Sequence, residues 1–178
     1  MNYGLFRMTR YSCNTRRACA LVIPVLSMLV AVNVHASEDP AFAPELAIGL
    51  GVGDVFDDSP DAGFGVEYRY APIWRDLRPA VGYNTTTEDD WYVYAGFRYF
   101  FWLSDKWRFD PTIAVGYFDP GDGIELGGSI EFRSGFEFSR RLTERTRLAL
   151  GFAHLSNARL YRSNPGTETV SLSISIAL

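Results

Sequence analysis

The residues of this chain best suited to chemistry lie near its C-terminus. They are His154, Ser156 two positions later, and Glu168 twelve positions beyond the serine. A serine hydroxyl is a weak nucleophile until a neighbouring base takes its proton. Histidine does this well when a third group fixes its tautomer and stabilises the imidazolium, and a carboxylate can serve as that third group. An attacked carbonyl also needs donors for its developing negative charge, and the amides of Asn157 and Asn164 are close enough in sequence to supply them. The competing reading is structural: Ser156 and Asn157 open a loop, His154 is an interfacial polar residue, and Glu168 starts a strand in solvent.

Which reading holds depends on the elements that carry these residues. In the last segment Val170, Leu172, Ile174, Ile176 and Leu178 share one face, and Ser171, Ser173, Ser175 and Ala177 the other. This alternation is the mark of a β-strand. It recurs at Leu46, Ile48, Leu50 and Val52 against Ala47, Gly49, Gly51 and Gly53. It recurs again at Phe64, Val66, Tyr68 and Tyr70 against Gly65, Glu67, Arg69 and Ala71. Further strands are expected near 77–85, 91–102, 107–118, 127–139 and 145–156, which makes eight. Opposite the apolar faces stand charges such as Arg98, Arg108, Asp110, Glu131, Arg133 and Glu137.

Parity then places the candidate site. His154 and Ser156 continue the face of Leu148, Leu150 and Phe152, and Glu168 continues the face of Val170 and Leu172. In a hairpin centred near Tyr161, Glu168 lies across from His154, where opposed Cβ atoms are about 4.5–5.5 Å apart. All three polar groups sit on the greasy side at strand ends. There a membrane interface tolerates them, whereas mid-bilayer placement costs about 2–4 kcal/mol for a basic residue.

The N-terminus has another character. Arg7, Arg10, Arg16 and Arg17 precede a mostly apolar run from Ala18 to Val32, and Val34-His35-Ala36 offers small residues at a cleavage position. Residues 1–36 are therefore expected to be a signal peptide, since the run falls short of the roughly 20 residues of a spanning helix. Its removal takes away both cysteines, Cys13 and Cys19, and one of the two histidines. Without Arg7, Arg10, Arg16 and Arg17 the 17 Lys+Arg fall to 13, against 21 Asp+Glu, a net of −8. So acidic a chain is a poor nucleic-acid binder. No metal or nucleotide motif is present, and no cofactor is expected.

Residues 37–178 read as an all-β, eight-stranded antiparallel up-and-down transmembrane β-barrel. Export, an even number of ten-residue strands and a small or charged lumenal face favour it over a soluble barrel. Trp74, Trp91, Trp102 and Trp107 fall at strand ends, the height at which an indole suits a membrane interface. With a periplasmic N-terminus, turns fall near 72–76, 103–106 and 140–144. Outer loops then fall near 54–62, 86–90, 119–125 and 157–167.

His154-Leu155-Ser156-Asn157, Asn164 and Glu168 resemble the C-terminal hairpin of the outer-membrane lipid A 3-O-deacylases called PagL, in residue types and spacing. The resemblance implies a carboxylic ester hydrolase acting on lipid A, the anchor of lipopolysaccharide, from the bacterial outer membrane. Ser156 would be nucleophile, His154 general base and Glu168 orienting acid, with Asn157 and Asn164 at the oxyanion site. It leaves monomer and homodimer open. The chain departs from the expected pattern where Arg159 stands in place of a glycine two residues after Asn157. Arg159 and Arg162 could face a lipid A phosphate or be solvated loop residues. Two alternatives remain at this level: a non-catalytic barrel serving adhesion or membrane integrity, and a palmitoyltransferase whose site opens inside the barrel.

Overall fold

The structure is a computed structural model that describes residues 39–56 and 60–178; the expected signal peptide lies outside the described residues. Nine strands follow in order: β1 (Glu45–Gly53), β2 (Asp61–Arg69), β3 (Leu77–Thr86), β4 (Trp91–Tyr99), β5 (Phe101–Trp102), β6 (Trp107–Asp119), β7 (Ile130–Arg141), β8 (Thr146–Ser156) and β9 (Thr167–Ala177). All pairings are antiparallel, β4 and β5 share the partner β6, and β1 pairs with β9. The sheet closes on itself as an eight-stranded barrel in which β5 continues β4. Closure leaves no strand edge unpaired, which hydrocarbon demands of any spanning sheet.

Alternation decides which face is outside. Ile48, Leu50, Phe136, Leu150, Leu172 and Ile174 are all exposed on the wall, whereas Arg69, Arg98, Arg108, Asp110 and Glu131 are buried in the lumen. So continuous an apolar surface far exceeds the few hundred Å² that a soluble monomer exposes. It suits lipid.

The lumen is packed by ion pairs. Arg69 reaches Glu67 at 2.7 Å, Glu137 at 2.7 Å and Glu45 at 3.3 Å, while Arg108 pairs with Glu45 at 2.6 Å and Asp110 at 2.8 Å. In the half nearest the long loops, the cavity lined by Gly49, Gly65, Tyr94, Arg133 and Glu137 holds about 120 Å³. That is below the roughly 300 Å³ of a small-molecule pocket. Because breaking one partner of a buried pair leaves the others uncompensated, Arg69→Met is expected to cost about 3–5 kcal/mol of stability. A lowered urea midpoint in detergent checks this.

Three details differ from the sequence expectation. The strand expected over 91–102 is interrupted at Phe100, whose N–H bonds to Asp76 O and whose ring lies under the Arg108 guanidinium at 3.5 Å. Trp102 does not join the outer girdle. It sits over Arg108 and Arg147 at the barrel mouth and donates its indole N–H to Asp76. Its place in the alternation, on the side of Arg98 and Phe100, puts it at the open mouth of the lumen, where it is as exposed as Trp107 on the wall. The strand expected from 127 starts at Ile130 instead, because Gly127 takes a left-handed turn against Ser163.

The short turns are set by hydroxyls. Thr143 Oγ1 accepts from the N–H groups of Arg145 and Thr146, and Ser104 Oγ does so for Lys106 and Trp107. Such side-chain caps satisfy turn donors that the sheet ladder cannot. These tight turns, the start of β1 and the end of β9 lie at one end of the barrel. The site lies at the other.

Candidate active site

β8 delivers His154 and Ser156 to the outer wall, and β9 delivers Glu168. His154 is directly opposite Glu168 in the β8–β9 register, so side chains of the right length must meet. They do: His154 Nδ1 and Glu168 Oε1 are 2.8 Å apart. The two side chains are 40% and 26% exposed, open to a ligand at the wall rather than sealed in the barrel. With Nδ1–H donated to the carboxylate, Nε2 is the nitrogen free to take a proton. Ser156 shares this face two residues on, at a Cα separation of about 6.5–7 Å. No hydrogen bond joins Ser156 to His154 among the described residues.

Sequence reasoning missed two members of the surroundings. Ser134 of β7 stands opposite His154 on the other flank, so a hydroxyl, an imidazole and a carboxylate form one row across three strands. Its flanking outward neighbours are Phe132 and Phe136, and the alternation of β7 was the signal that could have found it. Gly166 is the second. Its φ is +74°, and a Cβ there would fall 2.8 Å from His154 Cε1, so the imidazole edge rests on bare backbone. Gly166→Ala is therefore expected to push the ring off Glu168 and lower kcat about 100-fold, the scale of a 1 Å misplacement. Initial rates on protein that migrates as a folded barrel check it, since alanine at this φ also costs about 1–2 kcal/mol of stability.

The loop between β8 and β9 is braced from three sides. Asn157 is fully buried; it donates both side-chain N–H groups, to Leu126 O at 2.7 Å and Ser163 O at 2.8 Å. Its backbone N–H goes to Asn164 Oδ1 at 2.8 Å. Tyr161 lies flat on Gly128, where a Cβ would meet its ring at 2.0 Å, and its hydroxyl accepts from Ile130 N. On the other flank Val55 N–H donates to Glu168 O at 3.3 Å, and Thr167 Oγ1 donates to Asp54. Loops from three hairpins thus converge on the backbone around the His–Glu pair.

Just past Ser156 the chain makes a tight turn in which Leu160 N–H donates to Asn157 O at 2.9 Å. Its central residues, Ala158 and Arg159, have φ of +52° and +64°. Turns with two left-handed central residues favour glycine and asparagine. Arg159 therefore adopts the conformation for which a glycine is expected, at a cost of about 1–2 kcal/mol. The N–H of Arg159 donates to Asn157 Oδ1 at 3.0 Å, which helps hold it there.

With this geometry in view, the family model described as lipid A 3-O-deacylase (PagL) matches residues 62–177. The chain belongs to that family. Matched PagL residues run from the second strand to the end of the ninth and include the whole His154–Glu168 hairpin. Among solved structures the chain is similar to the outer membrane enzyme PagL, at 20% identity and a TM-score of 0.58, covering 75% of this chain and 99% of that one. It is also similar to the N-terminal β-barrel domain of Pseudomonas aeruginosa OprF, at 12% identity and a TM-score of 0.56, over 75% and 97% of the two chains. Neisserial surface protein A (NspA) aligns at 15% identity and a TM-score of 0.55, over 78% and 97%. At these identities the structures speak for the fold, an outer-membrane-type small barrel, and the PagL model speaks for the family. No curated protein matches the sequence.

Proposed function

We propose that the chain removes the ester-linked acyl chain at position 3 of lipid A, with Ser156 as nucleophile, His154 as general base and Glu168 as the orienting acid. The observation that carries this reading is the 2.8 Å contact between His154 and Glu168 on the outer wall, beside Ser156. His154 Nε2 takes the hydroxyl proton as Ser156 Oγ attacks the ester carbonyl. The tetrahedral intermediate then collapses, and the imidazolium protonates the departing sugar oxygen. Water, deprotonated by the same nitrogen, attacks the acyl-serine and releases the fatty acid.

Of the two asparagines, Asn164 is the better source of an oxyanion donor. All the N–H groups of Asn157 are engaged within the loops, whereas Asn164 accepts through Oδ1 and keeps its side-chain N–H groups for a ligand. Asn157 holds Asn164 in place.

A site on the wall takes a lipid sideways from the leaflet, so no lumenal pocket is required. The ion-paired lumen favours this over a palmitoyltransferase with an internal acyl site. With the long loops facing outward, the row lies at the height of the outer leaflet, where lipid A resides. Mass spectrometry of lipid A from cells expressing the protein tests the reading. Loss of one hydroxyacyl chain from position 3 is expected; unchanged lipid A would point to a non-catalytic barrel, and a gained palmitoyl chain to an acyltransferase.

A further inference from the structure

The long loops differ in charge. Those near 54–62, 86–90 and 119–125 hold ten Asp and Glu and no Lys or Arg, whereas the loop after Ser156 holds Arg159 and Arg162 and no acid. Both arginines are exposed. The ion pairs among the described residues lie in the lumen and at His154–Glu168, and neither arginine takes part in one.

Backbone geometry adds an independent point. Arg159 occupies a left-handed turn position, φ +64°, three residues beyond Ser156, where glycine would be unstrained. Strain of this kind persists where the surroundings enforce it and clusters at ligand clamps. Here the enforcement is visible in the Asn157 Oδ1 contact to Arg159 N and in Tyr161 seated on Gly128. Among the described residues no hydrogen bond, ion pair or ring contact engages the Arg159 side chain, so its guanidinium is open to a ligand.

An anionic amphiphile approaching the loop end meets repulsion from three loops and attraction from one. Screening confines each effect to about 8 Å at physiological salt, so an anionic group is drawn to the one long loop that carries guanidinium groups and no acid, the loop that follows Ser156. Guanidinium groups suit this task because their planar N–H pairs match phosphate oxygens two at a time.

We propose that Arg159 and Arg162 form a phosphate-binding subsite that draws the phosphorylated sugar head of the substrate to Ser156 and orients it so that an ester on that head reaches the nucleophile. This rests on the lipid A reading of the site. Binding to Ser156→Ala protein isolates the subsite from catalysis. Phosphorylated lipid A and its enzymatically dephosphorylated counterpart, in identical detergent micelles, are the two probes. The Ser156→Ala protein is expected to bind the phosphorylated form about tenfold tighter, the scale of one charge-assisted hydrogen bond. Adding Arg159→Gly and Arg162→Gln should bring the two affinities to within about twofold, since only the charge-assisted contacts are removed. Glycine fits the turn, so the variant keeps the loop; migration as a compact barrel before heating verifies its fold. Equal affinity for both lipids in the Ser156→Ala parent, or a preference that survives both substitutions, overturns the subsite. Deacylation by the unsubstituted protein, assayed in parallel, reports on the catalytic reading alone.

Discussion

Replacing Ser156 with alanine is expected to lower lipid A deacylation by about 10⁴-fold or more, the loss seen when a nucleophile is removed from a triad. The barrel should be untouched. Ser156 projects from the end of β8 on the outer wall and takes no part in the ion pairs of the lumen, so its hydroxyl holds no strand in place. Substitutions away from such features usually change stability by less than about 0.5 kcal/mol. Release of hydroxy fatty acid from lipid A micelles, measured beside the urea midpoint of the same preparation, separates loss of chemistry from loss of fold. An unchanged rate would remove Ser156 from the mechanism.

Glu168→Gln should lower kcat by about 10³–10⁴-fold with little change in KM, as happens when the carboxylate of a triad becomes an amide. Glu168 Oε1 accepts from His154 Nδ1 at 2.8 Å. A glutamine can turn its NH₂ group toward that nitrogen, which stabilises the tautomer with the proton on Nε2. The base is then blocked at the atom facing the serine. The change is isosteric, and the β8–β9 register, set by backbone bonds from Thr146–Ile176 to Leu155–Thr167, does not depend on it. Steady-state kinetics on lipid A in micelles give the split between kcat and KM. A variant that loses affinity but keeps kcat would make Glu168 a substrate contact.

The parts of the site that the sequence made legible follow from the two-residue period of a strand. That period put Ser156, His154 and Glu168 on the apolar face, and the hairpin midpoint at Tyr161 put His154 across from Glu168, as the structure has them. The same period separated a charged lumen from an apolar wall. What escaped depends on contacts between distant segments. Asn157 meets Leu126 across 31 residues and Asp54 meets Thr167 across 113, pairings that no local pattern encodes. Gly166 escaped as well, because its importance comes from the imidazole lying on it. Trp102 read as an interfacial aromatic, since position at a strand end says nothing of which way the side chain turns.

Arg159 shows where family pattern and chain diverge without a change of fold. The turn keeps the backbone that glycine would adopt, and the loop's bracing by Asn157 and Tyr161 carries the strain.

The central claim is that Ser156, activated by His154 on the outer wall, attacks the ester. Covalent trapping tests it most directly. Incubation of the folded protein with a long-chain p-nitrophenyl alkylphosphonate, followed by peptide mass mapping, should give a phosphonyl adduct on the peptide containing Ser156 and none in His154→Ala. An adduct on a different residue, or none from a preparation that deacylates lipid A, would contradict the account.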